Sequence, residues 1–578
     1  MPALSSLPAD VFTPSTSAVA NSLALSAIVG VLPLLTMFVT LGALKWAAWK
    51  AAVTSLAVAI IVAWLAFKMP VGMAVASATE GAAFGIMPIL WIVFCGILLY
   101  EITVVTGRSD DLGAVFNKIS DDPRVQAIVI AFCFGGMMEA IAGFGAPVAI
   151  TGVMLAGIGF PAFRAACIVL LANTAPVAFG SIAIPIITAG QLTGIPKDHI
   201  GALVGHQTPI FAFLVPLLLL LMADGRRGVR DAWPIAIVVG GVFAVAQYWS
   251  SNHFSVELTD IVSSLAGLAA AVLMLIVWKP KGTAEAIVRL HGIRTEESEA
   301  LAVEGRAGST THSDTFERIQ KAMTTLDGKR VFMALFPYLI VIVVLSSAKL
   351  IDPLKQWLAN TSVKIPWPVI DKQINTPASA KLRTDTTYNF QWLENPGTLL
   401  LISGLITAVV YGLSLGKWGA AFVSVLRRMI YPIVTVASVL ALAYVMNQSG
   451  QTTAVGTWIA GAGAAFAYLS PILGWLGVAV TGSDTSANAL FATLQQTAAN
   501  KAGLDPALLV AANSSGGVVG KMISPQNLTI AATAVGLLGK ESDIFRNMVW
   551  WSLGLLAAMC LLVGLESGPL HSMLPNVK

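Results

Sequence analysis

Ionisable side chains are almost missing from two long stretches of this chain, and no other feature limits its possible folds as strongly. Between Val125 and Ile195 only Glu139 and Arg164 carry charge, and between Met429 and Asn500 only Asp484 does. Each interval is far longer than the ~20 residues one helix needs to cross a hydrocarbon core ~30 Å thick. The chain is therefore expected to cross a bilayer repeatedly within each. Charged residues make up 11% of the 578, against roughly 25% in an average soluble domain. That is too few to coat a soluble core of this size, which excludes a soluble enzyme, a disordered protein and a nucleic-acid binder. The apolar runs are continuous and do not alternate, which favours helices over a β-barrel.

Apolar segments recur from residue 23 to residue 566, several of them short or broken by Gly and Pro. They predict an all-α polytopic membrane protein with 12–14 transmembrane helices, some broken or re-entrant. No Lys or Arg precedes Lys45, so the first apolar segment is expected to be a retained span and not a cleaved signal. Lys45 and Lys50, Arg226 to Arg230, and Arg427 with Arg428 fit the cytoplasmic side of one alternating topology. That topology puts the N-terminus outside, together with Ser250–Asp260 and Asn360–Glu394. Three parts are expected: a first membrane half (1–278), a cytoplasmic loop (279–330) with nine basic and eight acidic residues, and a second membrane half (331–578) with an external loop at 348–395. The four cysteines lie far apart in apolar runs with no CxxC, so neither a disulfide framework nor a zinc site is indicated. No cofactor or metal is expected, and the absence of a Walker A sequence gives no hint of ATP drive.

The two sparse regions share a texture. The first holds Glu139-Ala-Ile-Ala-Gly-Phe-Gly-Ala-Pro, then Asn173-Thr-Ala-Pro-Val-Ala-Phe-Gly, then Pro185; the second holds Thr481-Gly-Ser-Asp-Thr-Ser-Ala-Asn, then Asn513-Ser-Ser-Gly-Gly-Val-Val-Gly, then Pro525. Asn173 and Asn513, Gly180 and Gly520, and Pro185 and Pro525 are each 340 residues apart. Secondary transporters are often built from two inverted repeats whose interrupted helices meet at the binding site. Gly permits such an interruption, and Pro removes a backbone donor. The freed backbone groups need polar partners. Candidate substrate-binding residues are therefore Gly143, Phe144, Gly145, Asn173, Thr174, Ser483, Thr485, Ser486, Asn513, Ser514, Ser515, Lys521, Ser524 and Gln526. Close packing of small residues between helices is the competing explanation for the Gly and Ala positions.

The lone ionisable groups are candidates for coupling. A charge at mid-membrane costs about 2.5–3.5 kcal/mol on insertion scales, so it usually has a partner or a task. Glu139, beside the first break, is a candidate proton carrier, unless it sits at a helix end near water. Asp484 suits either a helix N-cap or the coordination of a proton or sodium ion. Lys521 is placed to be the counter-ion of a substrate carboxylate, a partner for Asp484 or Glu139, or a side chain that reaches to the interface.

At these motifs the chain resembles the bacterial L-lactate permease family. The resemblance rests on Gly-Phe-Gly-Ala-Pro-Val-Ala-Ile (143–150), Asn-Thr-Ala-Pro-Val-Ala-Phe-Gly (173–180), Thr-Gly-Ser-Asp-Thr-Ser-Ala-Asn-Ala-Leu-Phe (481–491) and Gly-Lys-Met-Ile-Ser-Pro-Gln (520–526). It extends to Asp-Gly-Arg-Arg-Gly (224–228) and Gly-Lys-Glu-Ser-Asp (539–543). It implies a proton symporter of L-lactate, D-lactate and glycolate in a bacterial cytoplasmic membrane, not an enzyme. A sodium-coupled or dicarboxylate carrier is the alternative.

Overall fold

The apolar segments fold as helices in the computed structural model, which describes residues 11–44, 46–141, 143, 145–157, 159–290, 293, 321–322, 324–375, 382, 386–537 and 540–575. In chain order, the helices up to residue 277 are α1 (Leu23–Gly30), α2 (Leu32–Phe38), α3 (Ala48–Leu65), α4 (Val71–Phe84), α5 (Trp91–Val105), α6 (Arg108–Asn117), α7 (Pro123–Gln126), α8 (Gly135–Ile141), α9 (Ala146–Gly157), α10 (Ala162–Ala172), α11 (Gly180–Thr193), α12 (Lys197–Trp249) and α13 (Thr259–Val277). There follow α14 (Gly328–Leu350), α15 (Asp352–Ala359), α16 (Pro396–Val410), α17 (Leu415–Ser449), α18 (Gln451–Ile459), α19 (Phe466–Thr481), α20 (Asp484–Ala502), α21 (Pro506–Gly520), α22 (Pro525–Ala534) and α23 (Glu541–Glu566). Between α15 and α16, strands β1 (Val363–Pro366) and β2 (Thr387–Phe390) pair antiparallel, Val363 opposite Phe390.

Among the described residues, ten helical stretches are long and apolar enough to cross a membrane, or eleven if α10 and α11, bent by 60°, count as one. The sequence predicted 12–14, and much of the difference lies in how segments join. The stretch Lys197–Phe254 is 58 residues long and leaves helical geometry at Asp224 and at Gly225 (φ 64°). At ~1.5 Å per residue it is long enough to cross twice. The outward faces carry Leu65, Val245, Ile276, Val277, Val409 and Trp550, each well exposed, as a hydrocarbon solvent requires.

Helices from the two ends of the chain interdigitate. α17 lies along α3 and α4, α16 along α5, α18 along α1 and α20 along α11. Glycine makes the α4–α17 approach possible: a Cβ on Gly81 would lie 2.5 Å from the Leu440 carbonyl oxygen. Beside it, Gln448 Nε2 donates to Glu80 Oε2 (2.8 Å), and both side chains are buried. α19 and α21 cross as closely. A Cβ on Gly516 or Gly474 would run into the backbone of Pro471 or Asn513. This is the small-residue packing that membrane helices favour, because lipid provides no hydrophobic drive between them.

Arg124 is fully buried at one end of the bundle. It donates to Asp122 (2.7 Å) and to the Lys281 carbonyl (2.6 Å), and Asp224 and Asp231 lie 3.6 Å from its other nitrogen. The stretch Ser250–Asp260, placed on the outer side by the sequence, is polar and mildly acidic yet largely buried. A π-helical turn (Ser250–Phe254) instead folds it inward, and Ser250, Ser255, Glu257, Thr259 and Asp260 are buried.

Candidate functional site

Two interrupted segments meet inside the bundle. On one side Gly482 closes α19 in the left-handed region (φ 76°), and Ser483 starts α20 by accepting a hydrogen bond from the Ser486 amide (3.2 Å). A Cβ on Gly482 would lie 2.6 Å from Gln526 Oε1, so the turn needs glycine for both conformation and space. On the other side α10 stops at Ala172, and a short 3-10 turn (Val177–Phe179) leads into α11. α11 begins with Ser181, Ile182 and Ala183 at φ 46°, 59° and 56°. Left-handed L-residues cost of order 1–3 kcal/mol each, and for β-branched Ile182 the conformation is a genuine outlier. The distorted start brings Gly180 against Glu139, whose Oε1 would be 2.9 Å from a Cβ there.

Lys521 Nζ and Glu139 Oε1 form an ion pair at 2.6 Å, with side chains 7% and 4% exposed. Asn173 Nδ2 donates to the other carboxylate oxygen (2.9 Å). Lys521 starts a 3-10 turn that follows α21 and ends at Ile523. The turn is held by Asn527 Nδ2 and Ser524 Oγ, which both donate to the Lys521 carbonyl (both 3.1 Å). Asp484 is buried, with neither carboxylate oxygen in a hydrogen bond of standard geometry. The Lys521 ammonium and the Ser514 hydroxyl are the groups that act on it. Glu139, Lys521, Asp484, Ser483, Thr485 and Ser181 line one cavity of about 30 Å³.

Behind the cavity Asn488 ties three helices together. Its Nδ2 donates to Ser514 Oγ (2.7 Å) and to the Pro185 carbonyl (3.2 Å), and its Oδ1 accepts from Asn513 (2.9 Å). The cavity thus sets one cation beside two carboxylates and several hydroxyls. Among the described residues no group of three His, Cys, Asp or Glu side chains is placed to hold a metal ion.

The L-lactate permease family model matches residues 26–567. The chain belongs to that family. The permease family makes it a transporter and not an enzyme, and its apolar helices make it a multi-pass membrane protein. It is 39% identical to the L-lactate permease of Bacillus subtilis (strain 168), covering 98% of this chain and 100% of that one. It is 40% identical to the glycolate permease GlcA of Escherichia coli (strain K12), over 92% and 94% of the two chains. The L-lactate permease of the same strain is also 40% identical, over 96% and 98%. Among solved structures, Neisseria gonorrhoeae MtrF, titled as illuminating a class of antimetabolite efflux pumps, has a TM-score of 0.39 at 14% identity, covering 85% of this chain and 82% of that one.

Five of the residues singled out from the permease sequence line the cavity: Glu139, Ser483, Asp484, Thr485 and Lys521. The others lie outside its lining. Gly143 (φ 47°) lies against Ser181 Oγ, and Gly145 (φ 85°) against Ile530. Thr174 donates to the Leu171 carbonyl (2.7 Å). Ser486, Asn513, Ser514, Ser515 and Ser524 are buried outside the cavity, Gln526 is exposed, and Phe144 lies outside the described residues. Of the positions left open for Lys521, the ion pair with Glu139 is the one adopted.

Several residues of the site escaped the sequence reading. Ser181 reaches the cavity only through the left-handed start of α11, and three L-residues in that conformation have no sequence signal. Asn488 closes the second motif but was not among the individual candidates. Asp260, hidden in a polar stretch, looked like a loop acid.

Proposed function

We propose that the protein carries L-lactate, D-lactate and glycolate across the bacterial cytoplasmic membrane together with protons. The observation that supports this most directly is the buried pair of Lys521 and Glu139 at a cavity between two interrupted segments. In this reading the proton and the anion are coupled by competition for one lysine. While Glu139 is ionised it occupies the ammonium. When Glu139 takes a proton, its attraction falls and the Lys521 ammonium becomes free to pair with the substrate carboxylate. Hydroxyls of Ser181, Ser483 and Thr485 supply hydrogen bonds, and the unpartnered Oδ1 of Asn173 accepts from the 2-hydroxyl. One proton and one anion cross together without net charge.

A space of this size holds a water molecule or two, not a three-carbon acid. Admission therefore requires α11 and α20 to part, and we propose that the halves 1–278 and 331–578 act as inverted repeats about this point. Their names link two E. coli relatives to lactate and to glycolate, which differ by one methyl group. The basic loops support an external N-terminus, testable by impermeant labelling of a Cys introduced near residue 15.

The test is uptake of labelled L-lactate by purified protein in liposomes under an imposed pH gradient, with glycolate, D-lactate, pyruvate and succinate as competitors. Glycolate and D-lactate should compete and succinate should not. Uptake driven by a sodium gradient and indifferent to pH would overturn the proton assignment. Glu139→Gln should lose gradient-driven accumulation at least ten-fold while lactate exchange at equal pH persists.

A further inference from the structure

Asp260 opens α13 and belongs to neither break. It is fully buried, and neither carboxylate oxygen has a hydrogen-bond partner of standard geometry. Its place follows from how α13 packs on α8 and on the π-helical segment before it (Ala127–Phe134). Cys133 Sγ would be 3.5 Å from a Cβ on Gly267, and Ser264 Oγ would be 2.6 Å from a Cβ on Gly136. Residue numbers rise on one side as they fall on the other, so the two run antiparallel. One further turn brings Glu139 abreast of Asp260. The charged groups that act on Asp260 are in fact Glu139 and Lys521, with Gln247 of α12 as a polar neighbour. Cys133 and, more exposed, Tyr248 and His253 are the other titratable groups on the nearby stretches of elements packed on this end of α13.

Three buried carboxylates, Glu139, Asp260 and Asp484, thus share one buried cation, Lys521, among the described residues of this region. An unpaired carboxylate in a dry interior is strongly disfavoured, so two of the three must hold a proton or another cation. Asp484 lines the central cavity. Asp260 lies three residues after Glu257, which lines a second cavity of about 330 Å³ together with Lys197 and Lys355. Glu257 is fixed there by Lys197 and by the Ser255 hydroxyl (2.8 Å).

We propose that Asp260 is the carboxylate that takes up the co-transported proton from the Glu257 cavity and passes it to Glu139. A proton from cavity water bonds to an Asp260 carboxylate oxygen. It then moves to the Glu139 carboxylate, which frees Lys521 for substrate, and cavity water returns a proton to Asp260. Only the proton changes owner. This rests on the proton–lactate reading above and adds to it the residue through which the proton arrives.

The experiment reconstitutes wild type and Asp260→Asn in liposomes with an entrapped pH dye. Both lactate exchange at equal pH and lactate-driven proton flux are measured. The expected result is a loss of proton flux and of pH-driven accumulation by at least ten-fold in Asp260→Asn, with exchange kept within about three-fold. Asp260→Glu should restore coupling. Wild type that couples lactate to protons, beside an Asp260→Asn that does so equally well, overturns the role of Asp260 alone. Wild type that moves no lactate, or moves it without protons, overturns the transport reading and this inference with it. If Asp260→Asn does not fold, the infrared carboxyl band of wild type decides: protonated buried carboxyls whose band shifts or gains intensity on lactate binding support the proposal, and a band that does not respond, or no band at neutral pH, overturns it.

Discussion

Lys521 and Glu139 depend on each other more than the fold depends on the pair. Removing one partner of a buried ion pair leaves an uncompensated charge and typically costs about 3–5 kcal/mol, whereas replacing both with neutral side chains is often close to neutral. Lys521→Met should therefore lower thermal stability in detergent by that amount. Lys521→Met combined with Glu139→Gln should recover most of the loss and still fail to transport. A double variant no more stable than Lys521→Met would show that Asp484 and Asp260 already supply the dominant unpaired charge. Glu139, Asp484 and Lys521 were legible in the sequence because a charge stands out in an apolar run. Asp260 was not, because Asn252, His253 and Glu257 surround it and mimic a wet loop. Burial of a whole polar segment depends on what the rest of the chain places over it.

At the scale of elements, caps and close crossings set the frame of the site. Asp505 caps α21, its carboxylate accepting from the amides of Ala507 (2.8 Å) and Leu508 (3.4 Å), with Pro506 at the first helical position. Asp505→Ala should lower stability by about 0.5–2 kcal/mol and leave the substrate preference unchanged in competition assays. Glycines divide by what surrounds them. Gly516→Ala forces a methyl into the backbone of Pro471 and should cost about 1–3 kcal/mol as overpacking. Gly554 on α23 has open space around it, so Gly554→Ala should be neutral or stabilise by up to about 1 kcal/mol. Thermal unfolding of the two variants side by side checks the contrast. The interruptions at Gly143 and Gly482 were readable in advance, since glycine followed by Pro or by Ser-Asp marks where a helix can stop. The turn at 181–183 was not, because Ser, Ile and Ala have no local preference for the left-handed region.

At the scale of the molecule, the sequence shows that the chain spans a membrane many times but not which helices meet. Pairing between residues more than 300 apart leaves no local trace, and α3–α17, α5–α16 and α11–α20 are all of that kind. The cluster around Arg124 has a similar role at one end, where three aspartates converge on one guanidinium and the Lys281 carbonyl closes the group. Arg124→Met should leave Asp122 without its cation, while Asp224 and Asp231 keep Arg289 and Arg230, lower stability by about 3–5 kcal/mol, and make the chain near residues 281–290 more sensitive to limited proteolysis. Unchanged cleavage there would mean that the segment is held by other contacts.

The contact between Glu80 and Gln448 spans 368 residues, and its cost falls on synthesis. Chains are made at ~5–20 residues per second, so α4 waits roughly twenty to seventy seconds for α17 to arrive. During that interval the glycine face of α4 and the Glu80 carboxylate have no helix from the far end to meet. A ribosome that stops short of residue 448 therefore leaves a nascent chain in which Glu80 lacks Gln448 and α4 lacks the helix that packs on its glycines. Truncated forms ending before α17 should be cleared by membrane quality control far faster than forms ending after it, as pulse-chase labelling would record.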